Sequence, residues 1–324
     1  MQGMKKYLVT GIGGFVAYHF LERLNELGEK AEVLGLDLEI SQKIKEYSFE
    51  NIKLNFVELN LLEYRALEIA IVSFSPNFIV HLASFSSVGK SWEMPLESFL
   101  NNTNIFLNIA EIVRHNRINC RILSVGSSEE YGNVKESDIP LKEDMLLQPG
   151  NPYAVARVSQ EMLSKCYVDA YKLDIVLTRS FNHIGTRQRT DFAIPSFAKQ
   201  ISEGVKQGQR EIKLITGDIT VVRDFIDVRD VVNAYFALLE NGKSGELYNV
   251  CSGKGHSLKD VVDLLAKIFD VQVITETDPK RVRPLDNRII IGSFEKIKVH
   301  TNWEPRFELE ESLRAVVENI YQNT

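Results

Sequence analysis

The stretch NPYAVARVSQ (151–160) places Tyr153 four residues before Arg157. On a helix, residues four apart share a face, so a phenol and a fixed cation would lie side by side. Such a pair can move a proton. A free phenol has a reference pKa near ~10 and is a poor base at neutral pH, and an adjacent cation favours its ionised form. The same spacing also serves packing and solubility on ordinary helices, so the pair acquires meaning only from its company.

Two further clusters supply that company. SVGSSEEYG (124–132) puts Ser127, Ser128 and Glu129 just past an apolar run, and VHLASFSSVGKSW (80–92) does the same with Ala83 and Ser84. If the apolar runs are parallel strands, both clusters lie at carboxyl ends, where open α/β sheets bind ligands. Hydroxyls there can hold a carbonyl oxygen and a carboxylate can take a proton. Equally, the serines can form strand-exit turns while Glu129 caps the following segment. His81 and His183 read as packing or positioning residues, and with no metal-ligand spacing around them no metal is expected.

The stretch YLVTGIGGFVAYHF spaces Gly11, Gly14 and Ala17 by three. Gly11 permits a tight strand-to-helix turn, Gly14 a close approach of backbone to a pyrophosphate, and Ala17 close packing of helix on sheet. Asp37 ends the next strand, where a carboxylate would accept hydrogen bonds from ribose hydroxyls and repel a 2′-phosphate. NAD(H) is therefore expected over NADP(H). Otherwise Asp37 is a solvated loop acid. Asn60 suits either an adenine edge or a turn.

The elements that must position these residues alternate. Strand-like runs at 6–10, 32–36, 54–59, 77–82, 121–125 and 174–178 are separated mostly by amphipathic, helix-length stretches. That rhythm predicts an α/β fold, a Rossmann-type doubly wound parallel sheet, with a smaller mixed α/β C-terminal substrate domain. The expected division is residues 1–180, joined by parts of 221–255, for the dinucleotide, and 181–324 mainly for the substrate.

Composition narrows the class. The chain has 324 residues, 44% hydrophobic and 25% charged, with a formal net charge of −6. This is the profile of a globular protein and disfavours a nucleic-acid partner. No signal peptide and no stretch long enough to span a bilayer is read, so a cytoplasmic protein without a membrane partner is expected. Cys120, Cys166 and Cys251 are far apart and read as buried, reduced thiols. Cations concentrate late in the chain, at Arg187, Arg189, Lys199, Arg223, Lys280, Arg281, Arg283 and Arg288. Arginine suits a diphosphate through paired hydrogen bonds, whereas Lys199 and Lys280 read as solvated surface charge.

TGIGGFVA, VHLAS, SVGSSEEYG, PYAVAR, RSFNHIG and VRDFIDVRD occur in the order seen in extended short-chain dehydrogenases that modify nucleotide sugars. The chain resembles that family over nearly its whole length. FNHIG, RDFIDVRDVV, ELYNVCSGKG and the late RPL…IIIGSFEKI…TNWEPRFELEESL look most like GDP-4-keto-6-deoxy-D-mannose reductases, and next like GDP-mannose 4,6-dehydratases. The resemblance implies bound NAD(P), a GDP-hexose substrate, and a homodimer packed through helices around 97–115 and 151–171. It implies that Gly11, Gly13, Gly14, Phe15, Val16, Asp37, Asn60, Leu61, Leu82, Ala83 and Ser84 hold the cofactor, with Tyr153 and Arg157. Ser86, Ser127, Ser128, Asn182, Arg223 and Arg283 would hold the substrate. Ser127 matches the hydroxyl bonded to the sugar C4 oxygen, and Tyr153 the tyrosine that exchanges a proton with it while hydride moves at C4. Glu129 matches the carboxylate that, in dehydratases, removes the C5 proton and helps expel water from C6. Asn102 matches a helix asparagine usually followed three residues on by glycine, where this chain has Ile105.

Arg157 departs from the pattern, because the family has lysine there. Arginine keeps the charge but is planar, larger and not a conservative replacement at a tight site. It works as a substitute, or marks an impaired chain that mainly binds, or is an introduced substitution. Reductase, dehydratase and, more weakly, 4-epimerase chemistry all stay open, beside a nucleotide-sugar or dinucleotide binding protein of low turnover.

Overall fold

The computed structural model describes residues 4–282 and 287–323. Six β-branched or apolar runs form strands β1 (Lys5–Thr10), β2 (Ala31–Asp37), β3 (Ile52–Glu58), β4 (Phe78–His81), β5 (Arg121–Ser127) and β6 (Asp174–Ser180). Later in the chain come β7 (Asn182–Ile184), β8 (Glu211–Thr216), β9 (Val222–Asp227), β10 (Leu247–Val250), β11 (Gly255–Ser257), β12 (Gln272–Thr277) and β13 (Ile289–Ile290). The large sheet runs β10-β6-β5-β4-β1-β2-β3, and every pairing in it is parallel. The order reverses between β1 and β4, which opens a crevice beyond their carboxyl ends. This is the Rossmann-type sheet expected from the alternation.

Both faces of the sheet are covered, which is why its strands read as unbroken apolar runs. On one face, Phe20, Leu21 and Leu24 of the helix Phe15–Glu26 meet Tyr235, Leu238 and Leu239 of the helix Val228–Asn241. On the other, Leu67, Ile71, Phe106, Ile109 and Tyr167 come from three helices. Burying each such side chain contributes about 1.5–3 kcal/mol. A third apolar cluster joins the helices Ala193–Lys206, Leu258–Phe269 and Leu309–Asn323 beside the smaller sheets. Those are mixed: β9 pairs with β7 and β13 in parallel and with β11 antiparallel, and β8 pairs with β12 in parallel.

The helix Pro152–Tyr171 carries the sequence's tyrosine–arginine pair. Asn151 caps it, its side chain accepting from the Ala154 N–H at 2.8 Å, and Pro152 stands at the first helical position. Tyr153, Ala156, Arg157, Gln160, Ser164 and Tyr167 form its buried face. Cys166 falls on the opposite face with Val155 and Met162 and is exposed, a correction to the expected burial. Cys120 and Cys251 are buried, and all three thiols are free.

Asp224 of β9 ties the smaller sheet to the large one. Its Oδ1 accepts from the Ser252 N–H (2.7 Å) and hydroxyl (2.6 Å), and its Oδ2 from the N–H groups of Gly253 (2.9 Å) and Gly292 (3.2 Å). Burial pushes its carboxyl up to about 6 against these four donors. Replacing it with alanine strands three backbone N–H groups at a cost of about 1–3 kcal/mol each. Asp224→Ala is expected to lower the unfolding free energy by at least about 3 kcal/mol in urea titrations, with Asp224→Asn intermediate. A loss below about 1 kcal/mol for the alanine variant would show that the tie is dispensable.

Candidate active site

The crevice at the β1/β4 reversal continues into a single cleft of about 1700 Å³. Gly11, Gly13, Gly14, Phe15, Val16, Asp37, Asn60, Leu61, Leu82, Ala83 and Ser84 all line it. Gly11 has φ +71°, and a Cβ on it would lie 2.7 Å from the Ala83 nitrogen, so only glycine lets β1 turn this close to the β4 exit. Gly14 begins the helix Phe15–Glu26 with no side chain capping its N–H groups. A helix start left open in this way, at the floor of a cleft, fits a dinucleotide pyrophosphate. Asp37 Oδ2 accepts from the Gly13 N–H at 2.9 Å and Oδ1 from the Leu38 N–H at 2.8 Å. Asp37 is thus fixed to the glycine turn. Asn60 accepts from the Leu62 N–H at 3.0 Å, the turn role, while also lining the cleft.

Tyr153 and Arg157 meet as their spacing required. The Arg157 Nε donates to the Tyr153 hydroxyl oxygen at 3.3 Å. The guanidinium is buried, and Nη1 donates to the Val125 carbonyl (3.0 Å) and to Gln160 Oε1 (2.6 Å) while Nη2 donates to the Ser84 hydroxyl. Ser84 is held in turn by Asn102, whose Oδ1 accepts from the Ser84 hydroxyl (3.1 Å) and from the Phe85 N–H (3.0 Å). Asn102 lies in a π-helical turn, Leu100–Asn104, that leads straight into the helix Ile105–His115. Local geometry just before Ile105 therefore differs from an unbroken α-helix. Behind Arg157, His81 Nδ1 bonds to the Thr10 hydroxyl at 2.9 Å. Burial, reinforced by Arg157, brings His81 down to about 3, so it is neutral.

Ser127, Ser128 and Glu129 line the same cleft at the β5 exit. The Ser127 hydroxyl accepts from the Glu129 N–H at 3.2 Å. Capping of this turn belongs to Glu130, not Glu129: Glu130 Oε1 accepts from the Ser127 N–H at 2.7 Å. A Cβ on Gly126 would lie 2.4 Å from that oxygen, so the glycine makes room for the hook. Glu130 is fully buried beside Glu161, and burial with this second carboxylate raises it well above the usual range. Glu161 in turn is clamped by Arg179 through two bonds of 2.9 Å and by Lys165 through one of 2.7 Å. Glu129 turns the other way, its Oε2 accepting from Asn151 Nδ2 at 3.0 Å.

The opposite wall comes from the later half. Asn182 and Ser86 are exposed within the cleft. Arg223 lines it too, but Nη1 is spent on the carbonyls of Val222 (2.9 Å) and Asn287 (2.7 Å). Arg187, Arg189, Arg281 and Arg288 also face the cleft, and Arg187 stacks 3.5 Å from the Tyr18 ring centre. Lys280 lines the cleft as well and is exposed, whereas Lys199 pairs with Glu203 at 3.8 Å outside it. Arg283 lies outside the described residues. Gln160, Glu130, Gln188 and Phe192 were not singled out from sequence, because no local motif marks them. Among the described residues, no group of His, Cys, Asp or Glu could hold a metal ion, and no helix is long and apolar enough to cross a membrane.

With the geometry in view, the chain was compared with known proteins. The family model described as GDP-mannose 4,6 dehydratase matches residues 8–316. A GDP-6-deoxy-D-mannose reductase of Pseudomonas aeruginosa is 35% identical over 242 residues, 75% of this chain and 79% of the relative. The structure of the RMD protein of Pseudomonas aeruginosa complexed with NADPH superposes with a TM-score of 0.83 at 28% identity, covering 99% of this chain and 100% of the other. A Thermus thermophilus UDP-glucose 4-epimerase in complex with NAD gives 0.84 at 27% identity, covering 97% and 98%. The chain belongs to the GDP-mannose 4,6-dehydratase family within the extended short-chain dehydrogenases, and is a nucleotide-sugar-modifying enzyme that works with a nicotinamide dinucleotide.

Proposed function

We propose that this chain is a GDP-4-keto-6-deoxy-D-mannose reductase that uses NADH, giving a GDP-6-deoxyhexose such as GDP-rhamnose. The observation that carries the reading is the Tyr153 oxygen lying 3.3 Å from the Arg157 Nε in a buried site. Reducing a ketone needs a proton delivered to oxygen as hydride reaches carbon. When bound, the dinucleotide supplies that hydride. Tyr153 supplies the proton, and Arg157 stabilises the charge left on its oxygen. Ser127 holds the C4 oxygen beside Tyr153. Asn182 and the cleft arginines, Arg223 among them, take the diphosphate. The likeness to the Pseudomonas aeruginosa reductase supports this reading.

Dehydratase chemistry is the second reading, favoured by Glu129 lining the cleft and by the family model. Against it, one Glu129 oxygen is already occupied by the Asn151 amide. The low-turnover reading loses its ground, because the guanidinium reaches the tyrosine. NADH is preferred because Asp37 is fixed at the turn, with Glu39 and Glu58 also lining the cleft, where a 2′-phosphate would meet carboxylates. Free thiols accord with the cytoplasm. A homodimer would cover the exposed Leu96, Phe99, Leu100, Val155 and Met162 on the two helical segments.

Incubation with GDP-4-keto-6-deoxymannose should consume NADH stoichiometrically. Conversion of GDP-mannose to a 4-keto-6-deoxy product without added reduced cofactor would sink the reductase reading. Tyr153→Phe should lower kcat by about 10²–10⁴-fold with nucleotide-sugar binding retained. By calorimetry NADH should bind more tightly than NADPH, and Asp37→Asn should narrow the difference; equal affinities in the unaltered protein would remove the preference. Sedimentation should give a dimer that Met162→Glu dissociates, and a monomeric unaltered chain would exclude the proposed packing.

A further inference from the structure

The Arg157 guanidinium has five N–H donors, and four of them have acceptors: one on Nε, two on Nη1 and one on Nη2. Every one of those acceptors is uncharged: the Tyr153 hydroxyl, the Val125 carbonyl, the Gln160 amide and the Ser84 hydroxyl. Among the described residues, no carboxylate oxygen lies within 4.0 Å of its nitrogens. The titratable side chains that feel its charge are Tyr153, the neutral His81, and Tyr235, whose hydroxyl is bonded to Ser180 at 2.9 Å. The buried Arg179 is treated differently. Arg179, equally buried, is clamped by the Glu161 carboxylate. Burying a cation without an anion is costly, so a fold retains one only where another group needs the field.

Gln160 is the side chain that makes this possible. It is 1% exposed, one helical turn beyond Arg157. Its Nε2 donates to the Ser124 hydroxyl (2.9 Å) and to the Val125 carbonyl (3.2 Å), so its oxygen must face Arg157. The reversed amide would set two donors against each other. Ser124 is fixed by Ser164 at 3.0 Å, and the Ser164 hydroxyl donates to the Gln160 carbonyl at 2.8 Å. The amide is therefore held at both ends, and it delivers the shortest acceptor distance given for Nη1, 2.6 Å.

We propose that Gln160 is a positioning residue for the reaction: it locks the Arg157 guanidinium against Tyr153 while leaving its charge un-neutralised for Tyr153 and the dinucleotide. An arginine stands where the family pattern has lysine, and Gln160 is the acceptor that fixes its wider, planar group. A glutamate here would also accept from the guanidinium but would cancel its field, while losing the bond that Nε2 makes to the Val125 carbonyl. The inference rests on the proton-transfer role proposed above for Tyr153.

The test uses the full chain with Gln160→Glu and Gln160→Met, and two readouts. Gln160→Met removes the clamp but no charge, and kcat should fall about tenfold with KM for the nucleotide sugar within about twofold. Gln160→Glu should move the limb of the pH–rate profile set by Tyr153 to higher pH by at least about one unit. The second readout needs no turnover. An un-neutralised cation beside the nicotinamide disfavours NAD⁺ relative to NADH. Gln160→Glu should therefore lower the ratio of their dissociation constants, Kd(NAD⁺)/Kd(NADH), by at least about threefold, whereas Gln160→Met should leave it within about twofold. A Gln160→Glu ratio equal to that of the unaltered chain overturns the proposal, whatever turnover does. A chain that binds both dinucleotides but reduces no nucleotide sugar overturns the function proposed above, and the ratio still decides the role of Gln160.

Discussion

A buried guanidinium that no described carboxylate contacts is the interaction around which the site is arranged. Arg157 draws its acceptors from four separate places: the Val125 carbonyl in β5, Ser84 past the end of β4, and Tyr153 and Gln160 one turn away on either side in its own helix. Each acceptor is a constraint on backbone. Ser84 can serve only because Asn102 grips the Ser84–Phe85 turn, and Asn102 reaches it from a π-helical turn. A widened turn in place of a regular one is a small cost in helix geometry, offset by satisfying a buried polar chain that would otherwise be stranded. The helix Pro152–Tyr171 and the exits of β4 and β5 are thereby held in one register.

A second buried charge cluster sits behind the first and does opposite work. Arg179 and Lys165 both bond to the Glu161 carboxylate, so the charge of this arginine is paired within the cluster. Its outlet is the Glu130 hook on the Ser127 N–H, which fixes the turn carrying Ser127 and Glu129. One cluster holds the hydroxyl end of the site still; the other keeps a charge available at the tyrosine. Arg179 is paired with a carboxylate and Arg157 only with uncharged acceptors, in the same interior.

The parts of this arrangement that were legible in the sequence are those whose geometry is local. The glycine turn at 11–14 follows from strand, turn and helix in succession, and the Tyr153–Arg157 contact follows from helical spacing alone. The parallel sheet followed from alternation. Gln160 was passed over because its meaning depends on Val125 and Ser124, on a strand 35 and 36 residues away in sequence. Glu129 was assigned the capping alternative that belongs to Glu130, since two adjacent glutamates after a serine do not announce which one turns back. Cys166 was expected inside because cysteine usually packs as a small hydrophobe, but its helix buries the face opposite it.

The cleft is electrostatically uneven along its length, and this bears on how a substrate would enter. Asp37, Glu39 and Glu58 line it near the glycine turn, whereas Arg187, Lys280, Arg281 and Arg288 line it on the side contributed by the later half of the chain. In a chain of net charge −6, that placement concentrates positive potential where the sequence is otherwise acidic, and a low-dielectric cleft focuses it. The diphosphate of a nucleotide sugar would be drawn to the cationic wall. The sugar it carries would then extend toward the exits of β4 and β5, where Ser127 and Tyr153 stand. Orientation would thus be imposed before any sugar hydroxyl is recognised.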